Sequence, residues 1–340
     1  MLLRSRKPSV SVATARVERK RRWRFLCLPL RAQGTPMYGG QAVMEGVMMR
    51  SPSFWAVAVR KPNGELTDVW QPIRSPMKRH WFFRLPVIRG VMALGESLGI
   101  GFRALAISTR FAIEGADDEE GFELSRWAIV SMFVFAIAFA VGLFKISPAV
   151  ITRLLPVGGE WFVLVEGAIR VTILVFYLLL VSLLPDLRRV FAYHGAEHRV
   201  INAFEAKEEL TPKKVMPYSV IHPRCGTAFL LWVMVIAIFV FAFFGRPNWY
   251  WLIATRILLL PVIAGLAYEL IRFAGKHRRS RVLAALLAPG LWLQRLTTRE
   301  PSLDQVEVAI AAFKRVYELE AARASEPEAA ATARAIDVVA

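Results

Sequence analysis

Hydrophobic positions along the 340-residue chain fall into long apolar runs and shorter stretches punctuated by charge. Four runs, at 127–144, 161–184, 227–244 and 249–273, are apolar over most of their length. A helix needs about 17–25 such residues to cross a bilayer. Trp127, Trp161, Trp249 and Trp251 stand at run edges, where membrane helices collect aromatic residues. Four buried core helices in a soluble protein are the plainer alternative, but that many long apolar runs rarely occur together there.

The rest of the chain reads differently. Residues 38–80 are rich in Val, Met and aromatics, and Asn63-Gly64 is a hairpin signal between two strand-like segments. A small cytoplasmic β unit of three strands is predicted, with 42–49 as its first strand. Residues 81–113 are apolar but interrupted by arginines and Glu96, which predicts an interfacial or re-entrant helix leading into an acidic loop by 126. Beyond the fourth run, 274–324 reads as interfacial and soluble helices, with Ser302 as a capping residue. The Ala-rich tail 325–340 is expected to be unstructured. Residues 1–37 carry ten Lys/Arg up to position 36 against Glu18 alone. They read as a disordered basic arm or as sequence upstream of a start at Met37, and less readily as a transit peptide.

Composition sharpens the membrane reading. The chain is 55% hydrophobic and still carries a net charge of +17, and its mean hydropathy is +0.41. Basic residues concentrate in 185–226 and after 273, while the connections after the first and third runs hold few. The positive-inside rule then puts both termini and the 185–226 loop in the cytoplasm. The resulting expectation is a mainly α, polytopic protein of the cytoplasmic (inner) membrane. It would have about four transmembrane helices in a 127–273 bundle, interfacial helices and a small N-terminal cytoplasmic β unit. Membrane lipids with anionic headgroups are the expected partners, with a protein partner or a second copy also open; nucleic acid is not expected. Cys27 and Cys225 lie far apart in unlike contexts and do not suggest a disulfide framework.

Candidate chemistry centres on residues 193–205, YHGAEHRVINAFE. On a helix of about 100° per residue, His194 and His198 share one stripe and Glu197 lies at its edge. Imidazoles at i and i+4 can reach one metal ion. The run His194-Gly195-Ala196-Glu197-His198 also matches H-x-x-E-H, in which the histidines bind zinc and the glutamate is the base. A pair of packed histidines balanced by Glu197 is the bland alternative. His222 and Cys225 precede the third run, and Glu269 lies near the cytoplasmic end of the fourth, so each is a candidate further ligand. For Cys225 a small buried hydrophobe is the simpler role, and for Glu269 an ion pair with Arg272. A second polar group, Glu166, Arg170 and Arg256, falls in the outer half of the membrane; the favoured reading is a structural ion pair that snorkels to the outer interface, ahead of a pathway lining.

The blocks YGGQAVMEGVMMR, YHGAEHRVINAFE, HPRCGTAFLL, PGLWLQRLTTREP and VEVAIAAF resemble the YqhQ-like family of bacterial membrane proteins, a domain of unknown function. The resemblance runs from about Tyr38 to Glu320, and residues 1–36 depart from it. It implies a cytoplasmic-membrane protein, loosely a metal-dependent enzyme, with no established substrate. Two functional expectations follow. One is a metal-dependent hydrolase at the cytoplasmic face, acting on a membrane peptide or lipid headgroup. His194 and His198 would hold a divalent metal such as zinc, His222 or Glu269 would be the third ligand, and Glu197 the base. The other is a non-enzymatic scaffold or lipid-binding protein whose histidine cluster is structural.

Overall fold

The computed structural model of the protein describes residues 37–78, 80–113, 126–244, 248–276 and 281–337. The basic arm with Cys27 and the acidic loop at 116–120 lie outside them.

The N-terminal unit is an antiparallel meander of four strands: β1 (Gly39–Val43), β2 (Gly46–Arg50), β3 (Phe54–Arg60) and β4 (Leu66–Pro72). This corrects the three-strand expectation. The stretch 42–49 is not one strand, because Met44 and Glu45 turn the chain so that Val43 pairs with Gly46. Glu45 takes a positive φ of 50° there, and its carboxylate accepts hydrogen bonds from Arg189 (2.6 Å from one guanidinium nitrogen) and Tyr193 (3.2 Å). Met44 and Glu45 lack the Gly or Asn that marks such turns, so the pattern ran through them. The Asn63-Gly64 turn is present, closed by the Gly64 N–H donating to the Lys61 carbonyl at 2.9 Å.

The central strands are buried on both faces, which explains why they read as apolar runs rather than as alternation. Trp55, Val57 and Val59 point with Val43 and Met48 to one side, against Ile100 and Ala104 of helix α1 (Ile88–Ile113). Ala56 and Ala58 point with Val47 and Met49 to the other side. There they meet Tyr193, Ala196 and Val200 of α5 (Pro185–Glu205) and Val306, Ala309 and Phe313 of α11 (Leu303–Asp337). Glu320 of α11 fastens this face, accepting hydrogen bonds from the Ser51 hydroxyl (2.6 Å) and the Ser53 hydroxyl (3.0 Å). The α11 backbone stays helical to Asp337, across most of the tail expected to be unstructured.

The intervening chain forms the apolar bundle: α2 (Arg126–Val141), a π turn (Gly142–Ile146), α3 (Ser147–Leu154), α4 (Gly159–Val181), α7 (Gly226–Ala242), α8 (Trp249–Leu258), α9 (Leu260–Lys276) and α10 (Arg281–Thr297). The short helix α6 (Pro212–Val215) lies between α5 and α7. Three helical stretches are long and apolar enough to cross a membrane, Ile88–Ala112, Val130–Leu154 and Trp161–Val181. The bent pair α8–α9, kinked by 42°, makes a fourth if counted as one span. Three details differ from the sequence pattern. The third run forms a helix of 17 residues, Gly226–Ala242, shorter than the stretches counted as spans. The first run does not stop before Lys145, because the π turn carries that residue inward and the helix continues to Leu154. Residues 88–113 form one continuous helix of spanning length.

Candidate metal centre

The H-G-A-E-H run lies mid-helix in α5, where it packs beneath β1 and beside the turn after α10. Gly195 permits that second approach: a Cβ at this position would lie 2.1 Å from the Arg299 carbonyl oxygen. The Arg299 N–H donates to the Phe191 carbonyl at 2.9 Å, which fixes the turn against the helix. With the turn in place, His194 Nδ1 lies 2.8 Å from the Thr297 carbonyl oxygen. One helical turn on, His198 Nδ1 lies 2.6 Å from the carbonyl oxygen of Val220. The segment carrying Val220 is itself held by Asn202, whose amide donates to the Ser219 and Ile221 carbonyls.

These two contacts decide the tautomers. A carbonyl oxygen can only accept, so each Nδ1 carries a proton, and in the neutral imidazole Nε2 then keeps its lone pair. Metal-binding histidines are held in this way by a second-shell carbonyl or carboxylate. The two rings lie close, with centroids 4.4 Å apart. Cys225 Sγ completes the group, 3.3 Å from His194 Nε2. The three ligand atoms all lie within 4.8 Å of one another. Tetrahedral zinc needs N and S ligand atoms roughly 3.3–3.6 Å apart, so small side-chain shifts would close the set. Cys225 is the N-cap of α7, accepting from the Thr227 N–H, at the helix end that stabilises negative charge.

Glu197 faces the same space from between the histidines. It is buried, and burial pushes its carboxyl up to about 7, partly offset by His194 and by a hydrogen bond from the Gly40 N–H. Gly40 can approach because it lacks a side chain; a Cβ there would lie 2.9 Å from Glu197 Cγ and 2.5 Å from the Met48 carbonyl. A carboxyl poised near neutrality is suited to taking and returning protons. The group opens into a cavity of about 150 Å³, also lined by Tyr38, Gly39, Arg50, His222 and Arg224.

His222 reaches the cavity, but its lone pair is committed. Its Nδ1 accepts the Arg224 N–H at 3.3 Å, so Nε2 carries the proton and faces Glu205 at 3.7 Å. Burial pushes this imidazole down to about 4, leaving it neutral. It therefore forms a wall of the site rather than part of the ligand group. Its backbone is clasped from both sides by Gln294 of α10, which accepts from the His222 N–H (3.0 Å) and donates to its carbonyl (2.8 Å).

Glu269 stands apart from the site. Its carboxylate takes two hydrogen bonds from Arg89, one of 2.6 Å from Nε, and another from the Val87 backbone. It ties α9 to the start of α1, and Arg89 rather than Arg272 is its ion-pair partner. Glu166, Arg170 and Arg256 do meet, with Arg256 Nε donating to Glu166 at 3.0 Å and Arg170 also paired to it. They do not snorkel: each is at most 1% exposed, enclosed by helices. Sequence reasoning missed the turn at 297–299, Gln294, Asn202 and the support from Gly40. The lone Gln in an otherwise apolar stretch and the glycine inside H-G-A-E-H were the available signals.

Residues 85–319 match the family described as "Protein of unknown function (DUF1385)". The chain belongs to this family. It is 32% identical over 298 residues to a Bacillus subtilis (strain 168) protein called "Uncharacterized protein YqhQ", covering 84% of this chain and 94% of that one. No solved structure matches it.

Proposed function

We propose that His194, His198 and Cys225 hold one divalent metal ion, with zinc best suited to the donor set, and that the protein is a metal-dependent hydrolase. The observation that carries this reading is the pair of Nδ1–carbonyl contacts, which leaves two imidazole lone pairs and a thiol converging beside a buried carboxyl and an open cavity. Three protein ligands with space beside them is the arrangement of catalytic rather than closed structural zinc sites. Such an ion supplies Lewis-acid chemistry and an activated water at neutral pH. Glu197 accepts the proton and returns it to the leaving group. The Gly40 N–H holds the carboxylate in place, and Arg50 and Arg224 line the approach.

The chain in this reading is a multi-pass protein of the cytoplasmic membrane with both termini inside; α1 lies against the β unit and does not cross, so Val130–Leu154 and Trp161–Val181 return the chain to the side of the β unit, and the site works at the cytoplasmic face on a membrane peptide or lipid headgroup. Lys145 is drawn inward, which leaves Arg153, in the last turn of α3, as the basic residue of this connection. That strengthens the charge asymmetry with 185–226. In cells lacking Cys27 and Cys225, an impermeant thiol reagent should label a cysteine placed at Gly158 and not one placed at Glu208. The reverse pattern would invert the topology.

Elemental analysis of the purified protein tests the centre. About one metal per chain is expected, falling sharply in His194→Ala and Cys225→Ala and persisting in Glu197→Gln. Wild-type protein that takes up no metal after chelation and refilling would overturn the site. One observation favours a second reading: the group joins α5, α7 and the segment before it, with supports from the turn after α10, so an ion there would also staple the cytoplasmic unit to the bundle. A scaffold of this kind needs the three ligands but not Glu197. Turnover abolished by Glu197→Gln with the metal retained separates the two.

A further inference from the structure

A second set of buried charges lies in the apolar bundle, away from the metal group. Glu166 and Arg170 sit one turn apart on α4, and Arg256 is in the last turn of α8. Lys145 joins them from the π turn, 7% exposed, and the charged groups acting on it are Arg170, Glu166 and Arg256. Three cations thus surround one carboxylate. Both guanidinium groups already bind Glu166. The Lys145 ammonium makes no hydrogen bond or ion pair with any side chain of the described residues. Deprotonating Lys145 would not restore balance, because two arginines would still share one carboxylate. Uncompensated buried charge costs several kcal/mol per ion. An ionisable group inside an apolar bundle is by default a sign of function.

The backbone is irregular on both sides of this cluster. The π turn interrupts the α2–α3 helix at Lys145, and α8 breaks from α9 just after Arg256. Arg170 Nε donates to the Phe144 carbonyl of the π turn at 3.0 Å. Arg256 donates to the Thr255 hydroxyl at 3.2 Å. The α8 helix packs against the π turn, so both interruptions face the same charges. π turns are frequent at functional sites, and broken membrane helices commonly frame ion sites. Phe241 lies under both guanidinium groups, at 4.1 Å from Arg256 and 5.3 Å from Arg170. Its ring face supplies part of the missing negative potential.

We propose that Lys145, Arg170 and Arg256 form a binding site for a small monovalent anion of halide size. The charge excess calls for an anion, and the Lys145 ammonium supplies uncommitted donors. The tightly buried surroundings favour a compact ion, because a lipid headgroup would have to enter an enclosed part of the bundle. This site is independent of the metal centre and of any hydrolase activity.

The test uses full-length protein in phosphatidylcholine nanodiscs, with chloride replacing gluconate at constant ionic strength. The thermal midpoint should rise saturably with chloride, by roughly 3–5 °C at 100 times the half-saturating concentration. Lys145→Gln should flatten the response and Lys145→Arg should keep it, while His194→Ala should respond like the wild type. Equilibrium dialysis of the wild type with radiolabelled chloride, which does not depend on any variant folding, should find about one bound ion per chain at saturation. A flat wild-type midpoint with no bound chloride would overturn the site. A full chloride response in Lys145→Gln would also overturn it. So would stabilisation by inorganic phosphate or by added phosphatidylglycerol where chloride has no effect.

Discussion

The two buried polar groups of this protein handle their charge in opposite ways. At the candidate metal centre, backbone carbonyls meet the Nδ1 atoms of both histidines beside an open cavity. In the bundle, Glu166 is the only carboxylate of the cluster among the described residues; two arginines saturate it, and the surplus is positive charge. The first group offers acceptors to a cation and the second offers donors to an anion. The contrast teaches that burial alone does not define a site; what matters is which valences the surrounding scaffold leaves unused.

The sharpest way to break the comparison is to remove Glu166. Glu166→Gln leaves Lys145, Arg170 and Arg256 without a carboxylate, and about 3–5 kcal/mol of stability should be lost. Folded yield and the thermal midpoint in detergent measure this. A variant as stable as the wild type would show that the cluster is not electrostatically strained.

Glu197 gives a pH-dependent counterpart in the metal-free protein. Its folded value, about 7, lies above the ordinary 4.5. The unfolded chain therefore ionises first as pH rises. The stability associated with the protonated form is complete below about pH 4.5, declines through the window up to 7, and is lost above it. The loss amounts to roughly 3 kcal/mol. Glu197→Gln cannot ionise, so this component of the decline should disappear from its stability–pH curve. A bound divalent cation should also suppress the decline in the wild type, because it favours the carboxylate.

Gly195→Ala probes the link between the turn and the site. The new Cβ meets the Arg299 carbonyl at 2.1 Å, so the turn must shift, at a cost of roughly 1–3 kcal/mol. Metal occupancy should fall, because Thr297 no longer orients His194. Retained occupancy would mean that the Thr297 contact is dispensable.

The smallest effect is expected at Glu269. Glu269→Gln breaks the pairing with Arg89 but should leave metal content unchanged, since that carboxylate lies outside the ligand group. Loss of metal would restore Glu269 as a ligand and overturn the assignment of Cys225.

Part of this architecture was legible before any coordinates. The apolar runs, the Asn63-Gly64 turn and the i, i+4 histidines on one helical face are local patterns, and local geometry fixes them. Met44-Glu45 was not legible as a turn because neither residue carries a turn preference. Lys145 read as a loop cation because a charge normally ends a run; the π turn that moves it inside is a property of the packed bundle. Cys225 read as one of several candidate ligands, with a small hydrophobe as its simpler role, since nothing in H-P-R-C-G states that α7 would begin opposite His194.

The sequence by itself determined the segments: which stretches are apolar enough to bury, and which helix carries two imidazoles and a carboxyl on neighbouring faces. Those follow from residue type and periodicity, which act over a few positions. Only the tertiary structure decided what each polar group bonds to. It brought Thr297 and Val220 to the imidazole Nδ1 atoms, Cys225 beside His194, Arg89 to Glu269 and two arginines to Glu166. The physical reason is that a buried polar atom needs a partner at hydrogen-bond distance, and that partner comes from whichever segment packs against it, here up to 269 residues away along the chain.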